Sequence, residues 1–77
     1  MKTGKIYKHI KALDTAIKPL HIVITKTHFK VKCIWLNIVN PNNVYLIGND
    51  NINIKIEEIN NWIEISKNGE SNVRLNS

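Results

Sequence analysis

Residues 25–35 alternate between two kinds of side chain, and this segment constrains the fold more tightly than any other. One face is formed by every second residue, namely Thr25, Thr27, Phe29, Val31, Cys33 and Trp35. The opposite face carries Lys26, His28, Lys30 and Lys32. Successive side chains of a β-strand point to opposite faces of the sheet. The period of two therefore predicts a strand with one buried face and one solvent face.

The alternation changes phase at Ile34. Ile34, Leu36 and Ile38 continue the face that had been basic, while Asn37 interrupts the apolar face. Two explanations fit this change: the strand becomes buried on both sides, or a β-bulge shifts its register. The sequence does not choose between them.

Further strands are expected on both sides of this segment. Short β-branched or alternating runs predict strands at 20–25, 44–47, 52–56 and 62–65. Turns are expected at 40–43 and 48–51, which are rich in Asn, Gly and Asp, and a short helical turn at 58–61. Asn68-Gly69 is a typical tight-turn pair. Residues 66–77 are accordingly expected to form a short strand at 73–75 or to be a frayed tail.

The N-terminal segment fits two patterns. Ile6, Ile10, Leu13 and Ile17 have the spacing of a helical stripe that Pro19 would end. Asp14 and Thr15 are poor helix formers, however, and Leu13, Thr15 and Ile17 also alternate as in a strand. We expect a strand here. The alternative is an α+β fold with an N-terminal helix packed on an antiparallel sheet.

Five or six short strands with tight turns, and a helical turn before the last core strand, fit a small closed barrel. Three segments, GKIYKH at 4–9, KVK at 30–32 and NNWIEI at 60–65, give the chain a resemblance to small SH3-like barrel proteins of phages and other mobile elements. The resemblance implies a small accessory binding protein and no specific functional residue. We therefore predict one mainly β domain over residues 1–77, an SH3-like barrel.

The charge is divided unevenly along the chain. Residues 1–32 hold eight lysines and one acid, Asp14, whereas residues 33–77 hold three basic residues and five acids. The first part is therefore +7 and the second −2, which together give the formal net charge of +5. An asymmetry of this kind indicates an anionic partner for one face of the protein.

The basic strand face is the candidate binding site. Residues two apart on a strand project about 6.5–7 Å apart, a spacing that suits successive phosphates or several contacts to one nucleotide. The predicted anion-binding residues are Lys26, His28, Lys30, Lys32, Lys8, Lys11 and Tyr7. The alternative is an ordinary solvated face, or charges that protect an exposed sheet edge. Trp35 and Trp62 are expected in the core, and Tyr7 and Tyr45 partly exposed.

No catalytic, metal or cofactor site is predicted. Cys33 lies in the middle of the apolar strand face, where a buried thiol is inert. The three histidines lack a compact metal-ligand spacing, and there is no second cysteine to join them. The three glycines are isolated, so no glycine-rich phosphate loop is formed.

The single cysteine and the lack of a long apolar run predict a soluble cytoplasmic protein without a membrane segment. If the protein is phage-encoded, its expected location is the host cytoplasm. The small size predicts a homodimer or higher homo-oligomer. Two functions are compatible with the pattern. One is a phage-type antagonist of host defence that captures a signalling nucleotide or docks on a defence protein. The other is a general nucleic-acid-binding module.

Overall fold

The computed structural model describes residues 1–40 and 43–65, which form one antiparallel sheet of five strands. The strands are β1 (Tyr7–His9), β2 (Thr15–Ile24), β3 (His28–Asn40), β4 (Asn43–Lys55) and β5 (Trp62–Glu64). A 3-10 helix, Ile56–Asn61, precedes β5. The spatial order is β4-β3-β2-β1-β5. The prediction of a mainly β fold is confirmed.

The described sheet is open. β4 and β5 lie at its two edges and do not pair with each other, so closure into a barrel is not observed. β3 and β4 contain 13 residues each. β4 is much longer than expected, because it joins the two short strands predicted at 44–47 and 52–56. Within the described ranges, no helix has the length and apolar character needed to cross a membrane.

The N-terminal segment forms strands, as preferred, and the helical alternative is wrong. Tyr7 on β1 lies opposite Ile17 on β2, and Ile17 lies opposite Trp35 on β3. Ile17 is fully buried by this pairing, whereas Leu13 is 94% exposed in the turn region between β1 and β2. The four residues of the apparent helical stripe therefore do not share one buried face. Burial of Ile17 in the sheet therefore determines the local structure, although the spacing of the apolar residues would also fit a helix.

The turn predicted at residues 48–51 is wrong, because β4 continues through it. Gly48 lies opposite Trp35, and Asp50 lies opposite Cys33. The next pair is Leu36–Leu46, which leaves Ile47 as an extra residue on β4. The phase change at Ile34 thus coincides with a bulge in the partner strand. β3 has no extra residue between His28 and Ile38, and its own irregularity comes at Val39, after the three apolar residues. Ile34, Leu36 and Ile38 are half-buried.

β3 begins at His28, so residues 25–27 form the β2–β3 turn rather than the start of a strand. Thr25 Oγ1 accepts hydrogen bonds from the backbone N–H groups of Thr27 (3.3 Å) and His28 (3.0 Å). Such side chain to backbone bonds favour a turn over continued strand pairing. Lys26 therefore lies in a turn and not on the strand face.

One face of the sheet is buried. Its core residues are Tyr7, Ile17, Val31, Cys33 and Ile54. Partly buried side chains that pack on this core include Trp35 and Trp62, whose rings lie 6.4 Å apart. The expected core location of both tryptophans is consistent with this packing. Burial of this apolar face is the main stabilising contribution to the sheet.

The predicted helical turn at 58–61 is confirmed as part of the 3-10 helix. The Ile56 N–H donates to the Thr27 carbonyl at 3.0 Å, which ties the start of the helix to the β2–β3 turn. Ile59 packs on the core. The predicted turn at 68–69 and the strand or frayed tail within 66–77 lie outside the described residues.

Candidate anion-binding face

Lys30 and Lys32 lie on the central strand of three, and three of their four cross-strand neighbours are polar. Directly opposite residues of antiparallel strands project on the same face. The two rows across the sheet are His21–Lys32–Asn51 and Val23–Lys30–Asn53. We call these six residues the basic face. It is the face opposite the buried core.

The basic face forms an open groove. Its volume is about 360 Å³, and it is lined by the six residues together with Val31 and Ile52. Small-ligand pockets usually range from about 300 to 1,000 Å³, so the groove is at the small end of that range. No acidic residue of the described ranges 1–40 and 43–65 lines it. The groove therefore presents two ammonium groups, an imidazole and two amides to solvent.

A β-bulge places His21 in this groove. Pro19 lies opposite Cys33 and His21 lies opposite Lys32, so Leu20 is the extra residue between them. Without the bulge, His21 would lie opposite Val31 and project towards the core. The sequence analysis did not identify His21 as a site residue. Proline in a central strand is usually confined to a bulge, so Pro19 was the available signal.

Asn51 and Asn53 were also missed, Asn51 because residues 48–51 were assigned to a turn. Their position depends on the register of β4 against β3, which the sequence does not display. Asn51 lies opposite Lys32 and Asn53 opposite Lys30. Each amide can donate two hydrogen bonds and accept others. They extend the row of donors beyond the lysines.

A second groove lies at the turn end of the same strands. It has a volume of about 460 Å³ and is lined by Lys26, Thr27, His28, Lys55, Ile56 and Glu57. His28 lies opposite Lys55, and its Nδ1 is 2.8 Å from Thr27 Oγ1. The structure thus brings the four strand-face residues of the sequence prediction close to one another, with Lys26 contributed by the turn.

Asp50 is the β4 acid next to Asn51, the residue opposite Lys32, but its side chain does not face Lys32. Asp50 lies opposite Cys33, on the core side of the sheet. Its Oδ2 accepts a 3.0 Å hydrogen bond from Trp35 Nε1, and its Oδ1 accepts one of 2.8 Å from the Asn51 N–H. The one salt bridge found among the described residues joins Lys5 to Glu64 at 3.8 Å. Lys30 and Lys32 therefore keep their charge uncompensated by neighbours within 1–40 and 43–65.

Lys8 and Lys11 are not brought to the basic face. β1 pairs with β2 at Ile17, whereas Lys30 pairs with Val23, six residues farther along β2. Because a strand rises by about 3.3 Å per residue, six residues correspond to about 20 Å. The Lys8 ammonium donates to the Ala12 carbonyl and, at 3.3 Å, to the His9 carbonyl. Lys8 is thus engaged with its own turn.

Tyr7 does not lie on the basic face. It is 6% exposed, and its hydroxyl accepts a 2.8 Å hydrogen bond from the Lys2 N–H. The expected partial exposure of Tyr7 is wrong because its ring packs against Ile17 and the rest of the core. Tyr45 is exposed, as expected, but it lies on the other half of β4. Among the residues that line the first groove, His21 alone carries a ring.

Cys33 is fully buried beneath the basic face. Burial raises the pKa of its thiol, and the negative charge of Asp50 raises this pKa further. Both effects keep the thiol protonated. No group of three or more His, Cys, Asp or Glu side chains in the described part of the chain is arranged to hold a metal ion.

Comparisons of the chain with protein-family models, with curated proteins and with solved structures found no match. The evidence for function therefore comes from the residues and geometry of this chain.

Proposed function

We propose that this protein is a non-catalytic binding protein whose basic face takes a phosphate-bearing anion. The observation that carries the proposal is the pair Lys30 and Lys32. Both are exposed on the central strand and line a groove. Among the described residues, no acid lines that groove and none forms an ion pair with either lysine. Two uncompensated cations in one groove favour an anion by direct Coulomb attraction.

The flanking groups suit phosphate oxygens. A lysine ammonium is a compact charge with three donors, and an asparagine amide adds two neutral donors. His21 lies beside Lys32 and donates from one or both ring nitrogens, according to its protonation. Val23 offers an apolar contact opposite Lys30. The groove thus combines charge, directed hydrogen bonds and a small apolar surface.

The two adjoining grooves favour an extended ligand, such as a nucleic-acid strand. His28, Lys30 and Lys32 follow one strand at intervals of two residues, about 7 Å per step. Lys26 and Lys55 extend the positive charge into the second groove, where Glu57 offsets one of these two charges. The first groove contains no Trp, Tyr or Phe on which a base could stack. We therefore propose contacts mainly to the sugar-phosphate backbone, with little sequence preference.

Capture of a signalling nucleotide by a phage-type antagonist of host defence is the second candidate. The volume of the first groove, about 360 Å³, favours it, since a compact ligand could occupy that groove alone. This candidate also depends on the SH3-like assignment. Pairing of β1 with both β2 and β5, and a 3-10 helix directly before β5, support that finer fold. In this case the cytoplasm of the host would be the site of action.

Fluorescence anisotropy with a labelled 20-nucleotide single strand, over 50–300 mM salt, tests the proposal. Neutralising about three phosphates predicts a slope near −2 in a plot of log affinity against log salt. Oligonucleotides of different sequence should bind alike. ATP and a cyclic dinucleotide serve as small probes. Tight one-to-one binding of a small probe without strand binding would favour the second candidate, and binding of neither would contradict the proposal.

A further inference from the structure

The half of the β3–β4 hairpin farthest from the two grooves has no charged side chain. Asp14 lies beside it on the β2 side, where the Asp14 carbonyl accepts a 2.6 Å hydrogen bond from the Ile38 N–H. The sequence from Cys33 to Asn49 contains no Asp, Glu, Lys or Arg, although the chain as a whole has a net charge of +5. The described part of this segment is the second half of β3 and the first half of β4. We call residues 34–38 and 43–49 the uncharged hairpin.

The β4 side of the uncharged hairpin exposes consecutive apolar residues. The exposed fractions are 41% for Val44, 57% for Tyr45, 69% for Leu46 and 57% for Ile47. Consecutive strand residues point to opposite faces, so both faces of β4 meet solvent here. Leu46 and Val44 lie opposite Leu36 and Ile38 of β3. An apolar surface thus continues across the hairpin.

β4 is also an edge strand. Among the described strands it pairs with β3 alone, which leaves one row of its backbone N–H and C=O groups without a strand partner. Proteins usually protect such an edge with charged residues, proline, a β-bulge or a very short strand. Here the edge strand has 13 residues, and residues 43–49 contain no charged residue and no proline. The bulge at Ile47 presents an apolar side chain that is 57% exposed. This edge has the properties of a surface that pairs.

We propose that the uncharged hairpin is the interface of a homodimer, in which β4 of one copy pairs antiparallel with β4 of a second copy. Charge selects this occupant. Two molecules of net charge +5 repel wherever their lysines meet, and the uncharged hairpin lets them approach without that repulsion. A two-fold axis places identical patches together, so the patch must tolerate itself. An uncharged apolar strand meets that condition.

An acidic partner would be directed to a different surface. Such a partner gains from the lysines of the basic face, whereas the uncharged hairpin offers it no opposite charge. Pairing of two β4 edges would give one sheet of ten strands. Along the strand direction, the basic grooves of the two copies would lie on opposite sides of the interface. The dimer goes beyond the proposed function, and it can be tested without any anionic ligand.

Sedimentation velocity of the full chain at 5–50 µM, in 300 mM salt, tests the dimer. The wild-type protein is expected to sediment as a dimer and Leu46→Lys as a monomer, because the substitution places two ammonium groups at the interface. Ile24→Lys is the matched control. Ile24 is 64% exposed, close to the 69% of Leu46, but lies at the opposite end of the sheet. This control is expected to remain dimeric.

A mixing experiment separates loss of the interface from loss of folding. Leu46→Lys and Leu46→Glu are each expected to be monomeric with wild-type circular dichroism, and their equimolar mixture is expected to form a heterodimer. A monomeric wild-type protein would overturn the proposal. So would dimeric Leu46→Lys, or folded variants whose mixture stays monomeric. A monomeric wild-type protein that binds phospholipid vesicles through Leu46 would assign the surface to a membrane instead.

Discussion

His21 and Lys32 lie directly opposite each other on β2 and β3, one residue after the bulge at Leu20. An imidazole and an ammonium group therefore border the same groove. Each group can donate hydrogen bonds to the same anion, the ammonium from its three N–H groups and the imidazole from a ring N–H.

The first prediction concerns His21. Affinity for a phosphate-bearing probe should fall about fivefold in His21→Ala, since the variant lacks the ring donor beside Lys32 and one hydrogen bond contributes roughly 1 kcal/mol. His9→Ala should retain the wild-type affinity, because His9 packs against Trp62 with ring centroids 5.1 Å apart, away from both grooves. Anisotropy titrations provide the measurement.

Equal affinities of the wild-type protein and folded His21→Ala would remove the histidine from the proposed site. A loss in folded His9→Ala as large as that in His21→Ala would place the site elsewhere.

Local alternation was sufficient to predict part of the site. Lys30 and Lys32 were placed on the solvent face, and Val31 and Cys33 on the buried face, from the period of two alone. The structure places all four in this way. The face on which a strand residue lies depends on its immediate neighbours in sequence, so this information is present in a short segment.

The remaining site residues depend on pairing between strands. His21 reaches the groove through a bulge, and Asn51 and Asn53 reach it through the register of β4. Register is fixed by contacts between distant segments and by turn geometry. The Gly48–Asn51 segment has the composition of a turn, yet its pairing with β3 holds it extended. Composition describes a local preference, and here the tertiary pairing overrides it.

The second prediction concerns Gly48, which has a turn-like sequence context but lies in an extended strand. A Cβ at this position would meet no atom within 4 Å, and the backbone φ of Gly48 is not positive. Gly48→Ala should therefore raise the free energy of unfolding by roughly 0.5–1 kcal/mol, the usual cost of glycine within a strand. Gly4 is the control. It also has open space around it but a φ of +83°, so Gly4→Ala should destabilise by about 1–2 kcal/mol.

Urea denaturation of both variants measures the two changes. Destabilisation by Gly48→Ala as large as that by Gly4→Ala would indicate that residues 48–51 form a turn after all.

The third prediction is that Cys33 has a structural role. Its side chain is fully buried against the core. Cys33→Ala should lower the free energy of unfolding by roughly 1–2 kcal/mol, as expected when a small buried side chain is shortened. Probe affinity should stay within twofold of the wild-type value. Loss of binding in a fully folded variant would contradict this role.

The fourth prediction follows from the raised pKa of Cys33. The thiol of the unfolded chain ionises near its ordinary pKa of 9.0, whereas burial and Asp50 keep the folded thiol protonated. The unfolded state then binds fewer protons, so the free energy of unfolding should fall as pH rises above about 9. Lysines titrate at similar pH. The relevant quantity is therefore the difference between wild type and Cys33→Ala, followed by denaturation from pH 8 to 10.5.

The wild-type protein should lose stability more steeply than Cys33→Ala over that range. Parallel curves would mean that ionisation of Cys33 is not linked to folding.

The fifth prediction tests the basic face itself. It compares two charge-reversal variants that have the same net charge but are changed at different sites. Lys30→Glu/Lys32→Glu and Lys2→Glu/Lys11→Glu each lower the formal net charge from +5 to +1. All four lysines are exposed, but only the first two line the groove. Thermal stability should remain within roughly 0.5 kcal/mol of the wild-type value in both variants.

The most direct test of the basic face is the affinity of these two variants for the labelled 20-nucleotide strand at 100 mM salt. Lys30→Glu/Lys32→Glu is expected to abolish binding, because attraction becomes repulsion at contact distance, whereas Lys2→Glu/Lys11→Glu is expected to retain most of it. Equal affinities of the two folded variants would show that overall charge, and not the basic face, governs binding.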